Sequence, residues 1–295
     1  MSVSFGIDIG GTNIKIGIFN NHKIEKKYFV KTESDHQDGV INQLIYELKK
    51  ESLGKKIDKI GVGVPGPVVN GVVLTAQNIN WFEPVALKAI LEKEFPNTLV
   101  EVHNDANAAA LGEFNYGSGK EYQSIVFVTL GTGIGGGVII NNKLIEGASG
   151  SCGEIGHINL EKEHGRECSC GLSGCFEQYS SATGIMKTAT EVFKKYNLKV
   201  DGLECKDIFN MALNNHIAAS EVVDITLDYL GLGLANVCNV LNPECVIIGG
   251  GVSAGLVNYL PKIQQLFDKY AFYSIKGTKI ALASLGNDAG IYGLS

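Results

Sequence analysis

Three thiols crowd into one short stretch of this chain, Cys168, Cys170 and Cys175, and His157 lies eleven positions ahead of the first of them. Three cysteines and one histidine make a complete tetrahedral N/S donor set, the composition of a closed structural zinc site. Gly171 and Gly174 let the loop turn tightly enough for all three sulfurs to face one ion. Disulfides are the competing explanation, but seven cysteines is an odd number and no secretory leader is visible, so a reducing compartment is expected. Unrelated buried thiols would not cluster at one-residue and four-residue gaps. The spacing leaves the fourth ligand open between His157 and His164. Four protein ligands leave no open coordination position, so such a metal organises the loop rather than catalyses. Glu154 and Glu177 frame the stretch without being good ligands for it, and whatever these acids bind is held against the metal loop.

A second kind of chemistry is legible in the glycines, 37 in all. Asp8-Ile9-Gly10-Gly11-Thr12 joins two apolar stretches of period two, so residues 5–19 are expected to form strand, glycine-rich turn and strand. The layout returns at a constant offset of 121 positions in Val128–Ile140, with Gly131-Thr132-Gly133 at its turn. The two copies end in matching pairs, Asn20-Asn21 and Asn141-Asn142, and together they predict a duplicated architecture. Backbone N–H groups in such turns meet no β-carbon and suit polyphosphate oxygens. A hairpin needing glycine only for its turn explains either segment alone, but poorly explains two in register. Gly131, Gly133 and Gly136 also match G-x-G-x-x-G, yet a dinucleotide fold requires a helix there and Val138-Ile139-Ile140 reads as a strand.

The polar positions of the two copies differ. Asp8 and Lys15 stand where the second copy has Thr129 and Gly136, giving the first copy a carboxylate suited to hydrated Mg²⁺. A third cluster, Gly249-Gly250-Gly251, follows the apolar run 245–248. Asn104 and Asp105 sit where a short strand runs into an alanine-rich helix. Helix capping accounts for one of them. Two acceptors side by side exceed what a cap requires, and a carboxylate at such a corner can act as general base on a substrate hydroxyl.

The elements that must position these groups follow from periodicity. Helices are predicted over 40–53, 84–95, 181–196, 207–213 and 220–241, and a buried strand over 60–67 ends in Val64-Pro65-Gly66-Pro67. The tail 282–293 reads as strand, turn and short closing helix, and Asn78-Ile79-Asn80-Trp81 as a polar loop burying the only tryptophan. A chain of 295 residues, 45% hydrophobic and 19% charged, is long enough for two cores. Its net charge of −6 argues against a general nucleic-acid surface. No apolar run approaches the roughly eighteen residues of a membrane span, and Met1-Ser2-Val3-Ser4 lacks leader character, so no membrane partner and a cytoplasmic location are expected.

In order along the chain, Asp8–Thr12, Asn104-Asp105-Ala106-Asn107, Gly131–Gly137, Glu154-Ile155-Gly156-His157, the Cys168–Glu177 loop and Gly249-Gly250-Gly251 resemble the signature of the ROK family of bacterial sugar kinases. The resemblance covers essentially the whole length. It implies an α/β chain with a duplicated actin-like (ribonuclease H-like) ATPase fold, two lobes with a central cleft. Residues 1–115 would form an N-terminal lobe on the sugar and phosphate side, joined by a C-terminal helix over 286–295. Residues 116–285 would form a C-terminal lobe with the zinc loop and the adenosine site.

The same resemblance implies roles. Gly10, Gly11 and Thr12 would hold ATP phosphates from one lobe, and Thr132 and Gly133 from the other. Gly250 and Gly251 would lie near the adenosine, Asp8 would act through Mg²⁺, and Lys15 would belong to the nucleotide side. Asp105 would take the proton from a sugar 6-hydroxyl as it attacks the γ-phosphorus. Asn104, Glu154, His157 and Glu177 would grip the other hydroxyls, with Gly66 and Asn78 beside them. His157 rather than His164 would complete the structural Zn²⁺ site, with its other ring nitrogen facing the sugar.

The implied activity is ATP-dependent phosphorylation of glucose at O6, with N-acetylmannosamine or another N-acylhexosamine as the alternative and fructose ranked lower. A homodimer is the implied assembly. ROK repressors share the sugar-binding core but need a helix-turn-helix module ahead of it, for which the seven residues before Asp8 leave no room. A catalytically idle sugar sensor fits poorly with an intact Asp105 and first phosphate turn.

Overall fold

The computed structural model describes residues 2–34 and 36–295. Along the chain run β1 (Ser2–Ile9), β2 (Asn13–Asn20), β3 (Lys23–Lys31), α1 (Gln37–Glu51), β4 (Lys56–Val64), β5 (Val68–Val69), β6 (Val72–Val73), α2 (Leu87–Glu94), β7 (Leu99–Asn104) and α3 (Asp105–Tyr116). There follow β8 (Ile125–Leu130), β9 (Ile134–Ile140), β10 (Lys143–Leu144), α4 (Glu177–Ser180), α5 (Ala182–Lys195), α6 (Cys205–Leu213), α7 (Ile217–Leu241), β11 (Cys245–Gly249), α8 (Leu260–Tyr270), β12 (Lys279–Leu282) and α9 (Ala289–Gly293).

These elements gather into two units, one of Met1–Glu121, Gly137–Gly153 and Leu285–Ser295, the other of Tyr122–Gly136 and Glu154–Ser284. The first is built on a sheet of order β3-β2-β1-β4-β7, antiparallel across β1, β2 and β3 and parallel across β1, β4 and β7. A second sheet has order β10-β9-β8-β11-β12 and is parallel across β8, β11 and β12. Both sheets place their strands in the same sequence: third, second, first, fourth, fifth. The repeat at an offset of 121 positions is therefore a repeat of topology as well.

Each unit has its own core. Phe5, Ile7, Ile9, Ile14, Ile60 and Val62 are buried with Trp81 in the first, and Val126, Phe176, Phe193, Leu227, Ile248 and Phe267 in the second. Trp81 is fully buried, and its Nε1 meets no acceptor among the described residues. No helix among the described residues is long and apolar enough to cross a membrane.

Several boundaries differ from the sequence reading. Residues 137–153, expected in the C-terminal lobe, cluster with the first unit. Gly137 lies against Ala110, where a β-carbon would come within 2.5 Å of the Ala110 methyl. Helix α2 begins at Leu87 rather than Pro84, because Val85 exchanges both backbone hydrogen bonds with Val73. β3 and α8 escaped the periodicity search. β3 is an edge strand with four exposed lysines and one glutamate, Glu25-Lys26-Lys27 breaking the alternation, and α8 buries only Ile263 and Phe267. The closing helix α9 is held to the first unit partly by Glu113, which is fully buried and accepts the N–H groups of Ser118 at 2.9 Å and Leu285 at 2.7 Å.

Candidate functional site

The donor atoms of His157, Cys168, Cys170 and Cys175 all lie within 4.8 Å of one another. The Cys170 and Cys175 sulfurs are 3.7 Å apart, and Cys168 Sγ is 3.7 Å from His157 Nδ1. A tetrahedron with Zn–S bonds of ~2.3 Å has edges of about 3.8 Å, so these donors fit that ion almost as they stand. Burial pushes the Cys175 thiol up to about 12 and raises Cys168, whereas the Leu172 backbone N–H lowers Cys170. A cation at their centre is what would let all three ionise together. All seven cysteines are free. His164 is exposed and lies outside the four-donor group.

The loop is shaped by its own backbone. Gly171 and Gly174 have φ of +88° and +78°, Cys168 N–H donates to Leu172 O at 2.8 Å, and Gly174 N–H donates to Arg166 O at 2.9 Å. Sequence reasoning missed Arg166. Its guanidinium lies over the Tyr179 ring, donates to the Gln178 and Gly184 carbonyls and pairs with Glu191 at 2.7 Å, so it fastens the loop to α4 and α5. A lone arginine among charged neighbours carries no spacing signal that could have revealed this.

Two acids extend from this loop. His157 Nε2, the ring nitrogen away from Cys168, is 3.9 Å from Glu154 Oε2. Glu177 opens α4; its Oε1 accepts from the Cys168 thiol at 3.1 Å, and its Oε2 accepts from Ile134 N–H at 3.4 Å. Glu177 thus reaches the turn Gly131-Thr132-Gly133, where a β-carbon on Gly133 would lie 2.6 Å from Oε2.

That turn borders a cavity of about 280 Å³ that also includes Gly251, Val252, Phe209 and Gly255. Gly250 is required by the backbone, since it has φ of +83° and the Leu130 carbonyl occupies its β-carbon position. Gly131 and Gly251 have neither constraint: a β-carbon on either would meet nothing within 4 Å. Their missing side chains serve the space rather than the fold, which suits a bulky ligand seated against bare backbone. In the sequence Phe209 reads only as part of the helix over 207–213; nothing there distinguishes a cavity wall from a core residue.

In the first unit, β1 and β2 meet at Gly10–Thr12. Gly10 N–H donates to Asn13 O at 3.0 Å, and the Thr32 hydroxyl donates to Gly10 O at 2.7 Å. A β-carbon on Gly11 would sit 2.8 Å from Asn78 O, so this turn lies directly against the Asn78 loop. Asp8 faces Lys15 across the β1–β2 pair. Burial raises the Asp8 carboxyl above its usual range, and the Lys15 charge offsets this only in part, so a further cation beside Asp8 is favoured. Lys15 itself donates to Asn287 O and lies 3.9 Å from Asp288, which ties its ammonium to the C-terminal segment.

At the β7–α3 corner the two acceptors divide their work. Asn104 caps α3, its Oδ1 accepting from Ala106 N–H at 2.9 Å and Asn107 N–H at 3.3 Å, while its Nδ2 donates to Gly66 O at 3.3 Å. Asp105 is the first helical residue; its Oδ1 accepts from Ala106 N–H at 2.8 Å and its side chain is exposed. Capping therefore belongs to Asn104, and Asp105 presents a carboxylate at the helix N-terminus.

The ROK family profile matches residues 4–295 of this chain. A glucokinase of Halalkalibacterium halodurans is 38% identical to it, over 98% of this chain and 92% of its own length. The crystal structure of a ROK family glucokinase from Streptomyces griseus in complex with glucose and AMPPNP superposes with a TM-score of 0.79 at 32% identity, covering 99% of this chain and 97% of that one. A ROK hexokinase from Thermus thermophilus superposes with a TM-score of 0.83 at 29% identity, covering 99% and 96%.

Proposed function

The chain belongs to the ROK family, with its duplicated actin-like ATPase fold, and from that premise we propose that it is an ATP-dependent glucokinase acting on the 6-hydroxyl of glucose. The observation that carries the reading is the near full-length identity to a glucokinase, over a chain that keeps Asp105 at the head of α3. ATP as donor is supported by the AMPPNP in the Streptomyces griseus complex and by a cavity in this chain walled by two glycines the fold does not need.

Asp105 is the general base: an exposed carboxylate beside the substrate hydroxyl accepts its proton as the oxygen attacks phosphorus. Asn104, Glu154, His157 and Glu177 bind the remaining hydroxyls, with Gly66 and Asn78 adding backbone and amide contacts. Carboxylates and amides discriminate among sugars because a wrong isomer leaves them buried and unsatisfied. Gly10, Gly11 and Thr12 present N–H groups to phosphate oxygens, as do Thr132 and Gly133, while Gly250 and Gly251 flank the adenosine. Mg²⁺ neutralises charge on the phosphates when bound. Asp8 would hold the hydrated ion, and Lys15 steadies the Asp8 side of the turn.

His157, Cys168, Cys170 and Cys175 hold one structural Zn²⁺. His157 binds through Nδ1, leaving Nε2 on the side of Glu154. Joined through such an ion, these four residues would keep the loop that carries Glu177 in one shape.

A coupled ADP-release assay tests the reading across glucose, N-acetylmannosamine, N-acetylglucosamine, mannose, allose and fructose, with wild type and Asp105→Asn. Glucose-dependent turnover that drops by about 10²–10⁴ in the variant is expected. Preference for N-acetylmannosamine overturns the substrate, and silence on every sugar overturns the kinase.

A further inference from the structure

β7 places His103 directly before Asn104 and Asp105, with its ring between two carboxylates. Nδ1 is 3.0 Å from Glu146 Oε1, Nε2 is 4.0 Å from Glu101 Oε2, and the side chain is only 18% exposed. Lys59 pairs with Glu101 at 3.0 Å, and Lys88 lines the same small polar cavity, about 180 Å³, with His103, Glu101 and Glu146. These four are the charged groups around the ring.

Glu146 opens the loop that runs to Gly153 and continues into Glu154. The loop closes on itself through Cys152 N–H to Glu146 O at 3.0 Å. Its Gly150 has φ of +71°, and the Val68 carbonyl takes the place of a β-carbon there. His103 is the polar attachment of this loop to β7. The strand is fixed by its parallel register with β4, Gly63 opposite His103 and Val64 opposite Asn104. The loop has no such ladder, so it is the part that moves when the pair is cut.

We propose that His103 is a positioning residue for sugar binding: its bond to Glu146 fastens the 146–153 loop to the strand that presents Asn104 and Asp105, and so sets the path by which the chain enters Glu154. The proposal rests on the glucokinase reading for its sugar. It separates the kinetic constants, because Asp105 stays on the rigid strand–helix corner and the nucleotide-side glycines lie elsewhere. Cutting the pair loosens sugar binding and leaves proton abstraction and ATP binding in place.

The test compares wild type, His103→Leu, His103→Gln, Glu146→Gln and the His103→Leu/Glu146→Gln double variant in steady-state kinetics and in hydrogen exchange of the full chain. The glucose KM is expected to rise about tenfold in His103→Leu and Glu146→Gln, the size of one buried charge-assisted hydrogen bond. kcat and the ATP KM should stay within about twofold. The double variant should be no worse than either single, and His103→Gln, which keeps a donor, should recover part of the loss.

Peptides over 146–156 should exchange faster in the variants, and those over 105–116 should not. Unchanged glucose KM in folded variants, equal losses in kcat and both KM values, or additive single effects would each overturn the proposal. A wild type silent on every sugar overturns the glucokinase reading instead, and loop exchange then decides on its own. Should His103→Leu fail to fold, Glu146→Gln carries both readouts.

Discussion

The Cys168 thiol lies 3.1 Å from Glu177 Oε1, so a proposed zinc ligand and a proposed sugar ligand are in direct contact. The link is chemical as well as spatial, since a metal replaces the proton that this thiol donates. Metal analysis should find about one zinc per chain. Chelation, or Cys175→Ser at a fully buried sulfur, should lower the Tm and raise the glucose KM before the ATP KM changes. A protein stripped of zinc that keeps both its Tm and its glucose KM would sink the structural-zinc proposal.

Three glycines near the proposed nucleotide cavity should respond differently to alanine. Gly131→Ala and Gly251→Ala add a methyl where nothing stands within 4 Å, so the Tm should hold while the ATP KM rises about tenfold or more. Gly250→Ala forces a side chain onto φ +83° and against the Leu130 carbonyl, and should cost about 1–3 kcal/mol of stability. Thermal melts beside ATP titrations distinguish the two classes. Equal melting losses in all three would remove the inference that Gly131 and Gly251 serve a ligand.

The His103 cluster also makes stability depend on pH. Burial pulls the imidazole down, but the Glu101 carboxylate 4.0 Å away and the hydrogen bond to Glu146 outweigh it and hold His103 at about 9; His103 in turn holds Glu101 at about 2. A raised histidine stabilises fully below its ordinary 6.5 and loses that contribution as pH climbs to about 9. A depressed glutamate contributes above 4.5 and loses it as pH falls toward about 2. Both contributions are whole between pH 4.5 and 6.5. Glu101 is partly exposed, so screening reduces the alkaline loss to about 1 kcal/mol, or about 3 °C. Calorimetry at pH 6.5 and 9.5 should show that fall in wild type and its absence in His103→Gln.

Glu113 should matter to stability far more than to catalysis. Glu113→Ala leaves the Ser118 and Leu285 N–H groups without their buried acceptor, a loss of about 2–4 kcal/mol. Denaturant unfolding reads this directly, and a change below about 0.5 kcal/mol, the scatter of ordinary surface substitutions, would contradict it.

Sequence alone revealed the parts of this molecule that repeat or cluster. The two glycine-turn hairpins share one topology because the same period-two pattern flanks both turns, and three close cysteines with one histidine gather because their loop is too short to part them. His157 against His164 needed coordinates, since both are within reach along the chain and only the fold brings one of them to the thiols. Arg166, Phe209 and His103 were illegible for a common reason: each acts through partners distant in sequence, such as Glu191, Gly255 and Glu146. β3 was hidden because an edge strand of four lysines and a glutamate lacks the buried apolar alternation that marks its neighbours.

The first unit is assembled from three stretches of chain, and the last of them, residues 285–295, follows the whole of the second unit in sequence. Ile291 and Leu294 are fully buried, and the Leu285 N–H reaches the interior carboxylate of Glu113, so this late segment is a structural keystone. The first unit therefore cannot complete its core until the end of the chain is available. The half whose strands are translated first is thus the half whose core waits for the last residues translated.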